Sequence, residues 1–397
     1  MAFLLGKCFQ ANGEQFVKFA NLMDNRNIES VGGGNHKLKI KKEKLKIFEE
    51  IISLENLLLA WKEFKRGKRS KKDVQEFEFN LEDNLFQLHR ELKGKIYQHS
   101  NYTSFYVSDP KPRKIHKAIV RDRVLHHAIF RILYPILDKG FIFDSYSCRL
   151  NKGTHRAVAR LEKFCRKLSR NNTRNIFAVK CDIKRFFDSV DQEILLNLIR
   201  RKVKDEDAVW LVKSVIRSFS LFTPTPSQSP PRAGGEDLCS GLPLGNVTSQ
   251  LFANIYLNEL DQFVKHRLKI KYYLRYCDDF VVLSDNVKYL QELIPRINNF
   301  LKFGLKLTFH PNKIIFRKYR QGIDFLGYVV LPHRRVLRTK TKRRMLRKIR
   351  IKHLDLQRGI ISEKSFNQTL QSYFGVLKHC RSHKIIKRVV FCLGNMI

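Results

Sequence analysis

The sequence predicts an α+β fold in which an antiparallel sheet packs on helices, and three observations support it. Apolar, β-prone runs flank the adjacent carboxylates Asp278 and Asp279, which predicts a hairpin with these residues at its turn. A similar run, residues 175–181, ends at Asp182. Over residues 45–92, apolar side chains recur at the spacing typical of helices. If the two strand runs are neighbours in one sheet, the three carboxylates meet at one edge of it.

The charge of the chain indicates a polyanionic partner. Lys and Arg number 77 against 37 acids, a net charge of +40. Nucleic acid is the first candidate and an anionic membrane surface is the second. No apolar run approaches the ~18 residues of a membrane span, and residues 1–7 are too short for a signal-peptide core. The eight Cys contain no Cys-x-x-Cys pair, so we expect reduced thiols in a soluble cytoplasmic protein with no membrane partner.

The first part of the chain is predicted to combine helices with basic loops. Residues 1–44 have little apolar periodicity and are expected to form a weakly ordered basic extension. Between the helices of residues 45–92 lies a basic loop in which Lys68 and Arg69 suit backbone phosphates; the alternative is a solvated linker. Residues 102–120 have the pattern of a strand, a turn and a second strand.

Two prolines stiffen the turn of this predicted hairpin, at residues 109–113. They present Lys111 and Arg113 on a fixed backbone. A helix is expected to follow, with Arg121 in its first turn.

Downstream of Asp182 the pattern is again mostly helical, to about Phe219. Residues 221–237 are rich in Pro, Ser and Gly and are expected to form a surface loop. A tight, Gly-bracketed turn at residues 241–250 opens a further helix, an arrangement that can admit a ligand close to the backbone. After the Asp-Asp hairpin, an amphipathic helix is predicted over residues 287–303.

The last third of the chain begins with predicted strands and ends with predicted helices. A strand pair is expected over residues 306–316, interrupted at His310-Pro311-Asn312, and one strand over residues 323–331. Two closing helices are predicted near residues 363–378 and 383–393.

Residues 334–350 hold ten Lys or Arg and no acid on a helical pattern. A helix face of one sign repels itself unless a partner neutralises it. We therefore interpret residues 333–397 as a small helical domain that grips a nucleic acid backbone; a solvated helical face is the alternative. The candidate contacts are Arg338, Lys342, Arg343 and Arg347.

The three carboxylates suit divalent metal ions. Mg²⁺ prefers hard oxygen ligands and is often held by carboxylates together with substrate phosphates. Two such ions can clamp the attacking and leaving oxygens of a phosphoryl transfer. We predict two Mg²⁺ ions as cofactors, with Mn²⁺ as a substitute.

The order of these motifs resembles that of a reverse transcriptase, from about Leu45 to about Lys384. The strand ending at Asp182 is similar to motif A, residues 241–250 to motif B, and Tyr276-Cys277-Asp278-Asp279 to the Tyr-x-Asp-Asp box. The two motifs that follow are matched by His310-Pro311-Asn312-Lys313 and Phe325-Leu326-Gly327-Tyr328. The resemblance implies a right-hand polymerase with fingers at residues 45–172, a palm at 173–332 and a small helical thumb at 333–397.

Within that superfamily, the chain looks most like the reverse transcriptases of bacterial and phage diversity-generating retroelements. Motif B ends in Ser249-Gln250, where group II intron enzymes usually have Ser-Pro. The other similar segments are residues 109–113, Arg121-Asp122-Arg123 with His126-His127, residues 144–149 and residues 152–155. This resemblance implies mutagenic retrohoming: error-prone copying of adenines in a template RNA into cDNA in a bacterial or phage-infected cell. The implied partners are the template RNA, a DNA primer, dNTPs and an oligomer of a small basic accessory variability protein.

The resemblance and the chemistry together suggest roles for individual residues. Asp182 and Asp278 are the expected metal ligands, Asp279 ligates or tunes the site, and the Ile183 carbonyl completes the shell. Lys313 is the candidate acid for the pyrophosphate leaving group. The expected nucleotide-binding residues are Lys111, Arg113 and Arg121 at the triphosphate, Phe187 as a gate against a 2′-hydroxyl, and Leu244, Gly245 and Gln250 of motif B.

Two of these residues have specific alternatives or consequences. Phe187 could instead be core packing beside Phe186. Many reverse transcriptases have Gln where this chain has Leu244, and an aliphatic residue there is common in the diversity-generating enzymes. We therefore expect low fidelity at adenine.

Two other functions remain open at this point. One is a group II-like, retron-like or defence-associated reverse transcriptase without a mutagenic role. The other is a non-catalytic RNA-binding scaffold, which three carboxylates in polymerase positions disfavour.

Overall fold

The structure is a computed structural model that describes residues 46–108, 112–220 and 240–394. The predicted extension, the Pro/Ser-rich loop and Lys111 lie outside the described residues. The predicted α+β class is confirmed, because antiparallel sheets pack on helices throughout the described parts of the chain.

Helices dominate residues 46–168. Those up to Lys93 confirm the helical spacing predicted over residues 45–92. Ile51, Leu57 and Trp61 are fully buried and carry the apolar side of the first two helices. The helices are α1 (Ile47–Ile52), α2 (Leu54–Phe64), α3 (Lys72–Phe79), α4 (Leu81–Lys93), α5 (Val120–Asp138) and α6 (Thr154–Leu168). A two-stranded hairpin, β1 (Thr103–Val107) and β2 (Arg113–Lys117), separates α4 from α5, which confirms the two predicted strands.

The central sheet has four strands in the order β4-β5-β3-β6, all antiparallel to their neighbours. Its strands are β3 (Phe177–Asp182), β4 (Tyr273–Tyr276), β5 (Asp279–Ser284) and β6 (Ile315–Lys318). The helices around it are α7 (Phe186–Ser189), α8 (Gln192–Lys202), α9 (Glu206–Ser220), α10 (Val247–Gln262) and α11 (Val287–Leu305).

Strands β3, β4 and β5 of this sheet are buried on both faces, which explains why they are almost continuously apolar, whereas the edge strand β6 is exposed. Val179 and Cys181 on β3 belong to the larger core, which includes residues of α10 and α11. Ala178, on the opposite face of the strand, belongs to a second core that includes residues of α6. β3 is therefore fixed between two hydrophobic layers, and Asp182 is held at its end.

The region after α11 differs from the prediction in three ways. Residues 323–331 form a hairpin, not one strand, because Leu326 and Gly327 adopt left-handed φ values of +50° and +88°. The basic run of residues 334–350 begins with a strand, and its helix starts only at Thr339. The expected pair over residues 306–316 is not a pair, since Phe309 bridges Ile183 while β6 joins β3. The elements are β7 (Ile323–Phe325), β8 (Tyr328–Leu331), β9 (Arg334–Leu337), α12 (Thr339–Gln357), α13 (Glu363–Leu377) and α14 (His383–Gly394).

Across the described ranges, no helix is both long enough and apolar enough to cross a membrane.

Candidate active site

The hairpin predicted around the two adjacent carboxylates is confirmed, but its turn lies one residue earlier than predicted. Tyr276 pairs with Asp279, so the β4–β5 connection is the two-residue turn Cys277-Asp278. Cys277 has a left-handed φ of +56°, which is compatible with the tight turn. Asp278 therefore lies in the turn itself, and Asp279 is the first residue of β5.

The third carboxylate lies directly across the sheet. Asp182, the last residue of β3, is the register partner of Asp279 on β5. Directly opposite residues of an antiparallel pair have Cβ atoms about 4.5–5.5 Å apart. The predicted juxtaposition of the two apolar runs is thus confirmed, and it places Asp182 next to the turn that carries Asp278.

Burial and neighbouring negative charge raise the pKa values of Asp278 and Asp279. Burial, followed by the charges of Asp182 and Asp279, raises the pKa of Asp278 from 3.8 to about 6. Burial is also the largest cause that raises the pKa of Asp279, and Asp182 adds to it, while Lys180 opposes it. A bound cation would lower these pKa values again, because it favours the ionised carboxylates.

Two lysines supply positive charge to this edge of the sheet. Lys313 forms an ion pair with Asp182, and Nζ of Lys180 lies 3.3 Å from Oδ1 of Asp279. Lys313 is the last residue of a single 3-10 turn, Pro311–Lys313. That turn is anchored where the N–H of His310 donates to the carbonyl of Asp182 at 2.8 Å. The structure thus brings Lys313 to the carboxylates, and it adds Lys180, which the sequence analysis did not single out.

The backbone beside Asp182 offers a further oxygen to the same edge. Two hydrogen bonds flank Ile183: His310 donates to the carbonyl of Asp182 at 2.8 Å, and Lys184 donates to that of Thr308 at 2.9 Å. This pattern makes Ile183 and Phe309 a non-hydrogen-bonded pair. The Ile183 carbonyl therefore points away from Phe309, toward the side of β3 that β5 occupies.

The donor set fits a divalent metal ion that shares its coordination with substrate. Within the described parts of the chain, no three His, Cys, Asp or Glu side chains are arranged to hold a metal ion by themselves. Asp182 and Asp279 each contact a lysine instead. However, Mg²⁺ commonly takes only one or two carboxylates and completes its shell with substrate phosphates and water. Hard oxygens on Asp182 and Asp278, with the Ile183 carbonyl, match that requirement.

The motif-B turn docks on the β1–β2 hairpin. The N–H of His116 donates to the carbonyl of Leu244 at 2.8 Å, and Nδ2 of Asn246 donates to the carbonyl of His116 at 3.3 Å. Gly245 has a φ of +125°, and a Cβ there would lie 2.9 Å from Cγ2 of Ile115. Only glycine allows this close approach without movement of the hairpin.

This docking joins several of the predicted nucleotide-binding residues. The strand that docks on Leu244 and Gly245 is β2, and it also carries the exposed Arg113. Gln250, on the first turns of α10, has a buried Oε1 with no hydrogen-bond partner among the described residues. An unpartnered buried acceptor is costly unless a ligand or water satisfies it.

Two predicted residues have clear contacts with the protein itself. The guanidinium of Arg121 pairs with Glu91 at 2.9 Å and donates to the carbonyl of Gln98 at 2.7 Å. The structure ties Arg121 to these protein acceptors, and its expected role at the triphosphate stays a prediction. Phe187 packs edge-on against Phe186 at 5.3 Å.

Phe187 is also linked to motif B through its backbone. Its carbonyl accepts a hydrogen bond from the N–H of Leu242 at 2.7 Å. The half-buried ring is thus held between the motif-A loop and the motif-B turn, a position compatible with both packing and gating.

The basic residues predicted to bind nucleic acid lie in two regions. Lys68 folds back, donating to the carbonyl of Phe64 at 2.6 Å, while exposed Arg69 helps to line a basic pocket of about 540 Å³. On α12, Arg343 and Arg347 are exposed one turn apart, and Lys342 is half-buried. Arg338 precedes α12 and pairs with Asp324.

An antiparallel sheet that gathers acidic residues at one edge, beside a docked glycine turn, is the arrangement of a template-directed nucleic acid polymerase. Residues 108–330 match the reverse transcriptase (RNA-dependent DNA polymerase) family. The chain belongs to that family, whose members use divalent metal ions. The right-hand polymerase fold predicted from the motifs agrees with this family match.

Relatives of the chain include group II intron-encoded proteins. Protein YkfC of Escherichia coli is 26% identical over 285 residues, covering 62% of this chain and 71% of YkfC. The group II intron-encoded protein LtrA of Lactococcus lactis is 26% identical over 194 residues, covering 48% of this chain but only 30% of LtrA. Nuclear intron maturase 1 of Arabidopsis thaliana is 22% identical over 265 residues, covering 53% of this chain and 34% of the maturase.

A solved structure of telomerase from Candida tropicalis, in complex with a fragment of telomeric RNA, aligns with a TM-score of 0.46. Its sequence identity is 13%, and the alignment covers 73% of this chain and 55% of that chain. The prediction of a reverse transcriptase is confirmed by the family match, whereas the diversity-generating subtype stays a prediction.

Proposed function

We propose that this protein copies a template RNA into cDNA, extending a DNA primer with dNTPs at the edge formed by Asp182, Asp278 and Asp279. The observation that supports this most directly is the register pairing of Asp182 with Asp279, beside the turn that holds Asp278. A scaffold that only bound RNA would have no need to concentrate carboxylates where burial, and then the charges of Asp182 and Asp279, raise the pKa of Asp278.

Two divalent ions, Mg²⁺ with Mn²⁺ as a substitute, fit this proposal. Asp182 and Asp278 would hold them, with the Ile183 carbonyl and Asp279 contributing. When bound, such ions stabilise the charge that develops on the attacking and leaving oxygens of a phosphoryl transfer. Lys313, already in contact with Asp182, is the proposed proton donor to pyrophosphate.

The same proposal assigns the surroundings of the carboxylates. Residues 45–172, 173–332 and 333–397 serve as fingers, palm and thumb. Arg113 and the Leu244-Gly245 turn form part of the nucleotide site, with Lys111, two residues before Arg113 in the sequence, and Gln250 offering its unpartnered Oε1. Phe187 acts as the gate against a 2′-hydroxyl. The net charge of +40 supports binding of template RNA and primer, with α12 gripping the backbone.

The mutagenic subtype is the finer part of the proposal. It rests on Leu244, an apolar residue in the motif-B turn, and on the Ser249-Gln250 ending. In this form the protein acts for a diversity-generating retroelement, with an oligomeric basic accessory protein as partner. The relatives favour a second candidate, a group II-like enzyme without mutagenic role. The errors in the cDNA, and a template repeat with a variable repeat in the neighbouring DNA, distinguish the two.

Primer extension on an RNA template tests the activity. Asp278→Asn keeps the shape of the side chain and removes its charge, and we expect it to abolish extension. The matched control is Asp285→Asn, an exposed carboxylate just beyond the other end of β5, which should extend like the wild type. Equal cDNA from Asp278→Asn and the wild type would leave only the RNA-binding scaffold.

A further inference from the structure

A buried ion pair lies beneath the turn that carries Asp278. Arg275 on β4 and Asp261 on α10 are both 0% exposed. Nε of Arg275 donates to Oδ1 of Asp261 at 2.8 Å, and Nη2 donates to Oδ2 at 2.6 Å. This is the two-point geometry by which a guanidinium best holds a carboxylate. Tyr273 strengthens it by donating its hydroxyl to Oδ1 of Asp261 at 2.7 Å.

Every donor of this guanidinium has an acceptor. A guanidinium carries five N–H groups, and Asp261 takes two of them. The others go to Oγ of Ser145 at 3.1 Å, Oδ1 of Asn254 at 3.3 Å and the carbonyl of Cys277 at 3.1 Å. Complete pairing compensates for the cost of removing the charge from water.

The bond to Cys277 is the one that reaches the active site. The carbonyl of Cys277 belongs to the peptide bond that continues into Asp278. Cys277 has a left-handed φ of +56°, a conformation that a non-glycine residue keeps only when its surroundings hold it. Arg275 therefore fixes the peptide plane from which the side chain of Asp278 projects.

The same residue connects this turn to two other elements. The N–H of Arg275 donates to the carbonyl of Asp144, and its carbonyl accepts from Tyr146, both at 2.9 Å. Asn254, on α10, donates to the carbonyl of Ser147 at 2.9 Å. Because α10 starts at the motif-B turn, Arg275 joins the turn of Asp278 to the helix that follows the nucleotide-binding turn.

Stability alone does not explain a charge pair in this place. Replacing a buried ion pair with apolar side chains of similar volume is often neutral or stabilising. What apolar side chains cannot supply is a directed donor to the carbonyl of Cys277. The geometry therefore favours placement of the turn as the function of the pair.

We propose that Arg275, held by Asp261, is a positioning residue that sets the location of Asp278 for divalent metal binding and hence for catalysis. This inference rests on the proposed role of Asp278 as a metal ligand. Arg275 touches no substrate, and it acts only through the peptide bond between Cys277 and Asp278.

Arg275→Lys tests the proposal, because an ammonium keeps the charge but cannot reach Asp261 at two points and Cys277 at the same time. We expect the Kd for Mn²⁺, measured by electron paramagnetic resonance on the full chain without nucleotides, to rise about tenfold or more. The kcat of primer extension should fall by a similar factor, while the KM for dNTPs and the affinity for template-primer change little. Arg160→Gln is the matched control, since Arg160 pairs with Asp144 in the same neighbourhood but makes no bond to the turn.

A second variant tests the proposal if Arg275→Lys does not fold. The pair Arg275→Gln with Asp261→Asn removes both charges together, which avoids an unpaired buried ion. We expect it to fold and still to show weakened Mn²⁺ binding. Folded variants with wild-type Mn²⁺ binding and kcat would overturn the proposal. Loss of the fold in both variants would assign the pair a purely structural role and overturn it as well. If the wild type itself neither binds Mn²⁺ nor extends a primer, it is the proposed function that fails.

Discussion

Lys180 on β3 and Asp279 on β5 are diagonal neighbours across the sheet, with Nζ 3.3 Å from Oδ1. Side chains two residues apart on a strand share a face, so Lys180 projects on the same side of β3 as Asp182. With Lys313 at Asp182, each of the two register-paired carboxylates has an ammonium partner. The lysines therefore offset part of the acidic charge at this edge of the sheet.

Lys180→Gln should shift this balance. Without the ammonium group, the carboxylates repel one another more strongly, and we expect the metal-free protein to lose about 0.5–1 kcal/mol of unfolding free energy. Added Mg²⁺ should then stabilise the variant more than it stabilises the wild type. Chemical denaturation in EDTA and in Mg²⁺ measures both effects. Lys288→Gln, at an exposed lysine of α11, is the control, and an equal Mg²⁺ effect in all three proteins would contradict the expectation.

Asp278→Asn should stabilise the metal-free protein at neutral pH although it removes activity. Folding raises the pKa of Asp278 from 3.8 to about 6, so its ionised form costs folding free energy above that pH. The stabilisation by Asn should be about 1–2 kcal/mol at pH 7, allowing for partial exposure of the group. As the pH falls through about 6 toward 3.8, wild-type Asp278 becomes protonated and the advantage should disappear.

Thermal denaturation in EDTA at several pH values measures this difference. Asp285→Asn, at an exposed carboxylate, should show no comparable stabilisation at neutral pH. A Tm difference between wild type and Asp278→Asn that is the same at pH 7 and below pH 4 would refute the assignment of the raised pKa to Asp278.

The sequence predicts the acidic edge well because its signals are local. One continuous apolar run ends at Asp182, and a second flanks the Asp-Asp turn. Runs of this kind are typical of strands that are buried on both faces. The period of two along a strand then determines which side chains share a face. The hairpin at residues 323–331 is not predicted, because one Gly in a short apolar run does not by itself distinguish a turn from a bulge.

Residues whose role depends on distant partners are harder to predict. Arg275 gives no sequence signal beyond a charge within an apolar run, since Asp261 meets it only when α10 packs beside β4. Arg121 has the chemistry for phosphate binding, yet in the fold its guanidinium forms an ion pair with Glu91. The sequence therefore identifies side chains by type and does not assign their partners.

Gly245→Ala should separate the motif-B turn from the β1–β2 hairpin. The added Cβ would lie 2.9 Å from Cγ2 of Ile115 and 3.3 Å from the carbonyl oxygen of His116, so one of the two elements must move. We expect the KM for dNTPs to rise about tenfold, since small misplacements of a binding group have large kinetic effects. Steady-state primer extension measures it.

Gly153→Ala is the control that distinguishes the effect of backbone strain from the effect of the steric clash at Gly245. Gly153 has a φ of +115°, close to the +125° of Gly245, but a Cβ added at Gly153 would meet no described atom within 4 Å. Its KM should stay near that of the wild type. Adding Ile115→Ala to Gly245→Ala removes the closest contact and should recover part of the loss; no recovery would argue against the steric explanation.

The exposed face of α12 should contribute salt-dependent binding. Replacing both Arg343 and Arg347 with Gln should weaken binding of a template-primer at low salt. It should reduce the slope of log K against log salt by about 0.7–0.9 for each phosphate that the variant no longer neutralises. Fluorescence anisotropy over a salt series measures the slope. Lys364→Gln, at an exposed lysine of α13, is the control, and an unchanged slope in the Arg variant would indicate a solvated face.

Leu244→Gln tests the mutagenic subtype apart from polymerase activity. The carbonyl of Leu244 is fixed by the N–H of His116 at 2.8 Å, so a substitution changes the side chain offered to the nucleotide while the turn stays in place. An amide can hydrogen-bond to a nucleotide, and an aliphatic side chain cannot, so errors opposite template adenine should fall more than total cDNA yield. Leu244→Met, which stays apolar, should keep the error spectrum. Sequencing of cDNA made by the wild type and both variants measures the error spectrum. If Leu244→Gln leaves that spectrum unchanged, residue 244 does not control errors at adenine, and the group II-like alternative is favoured.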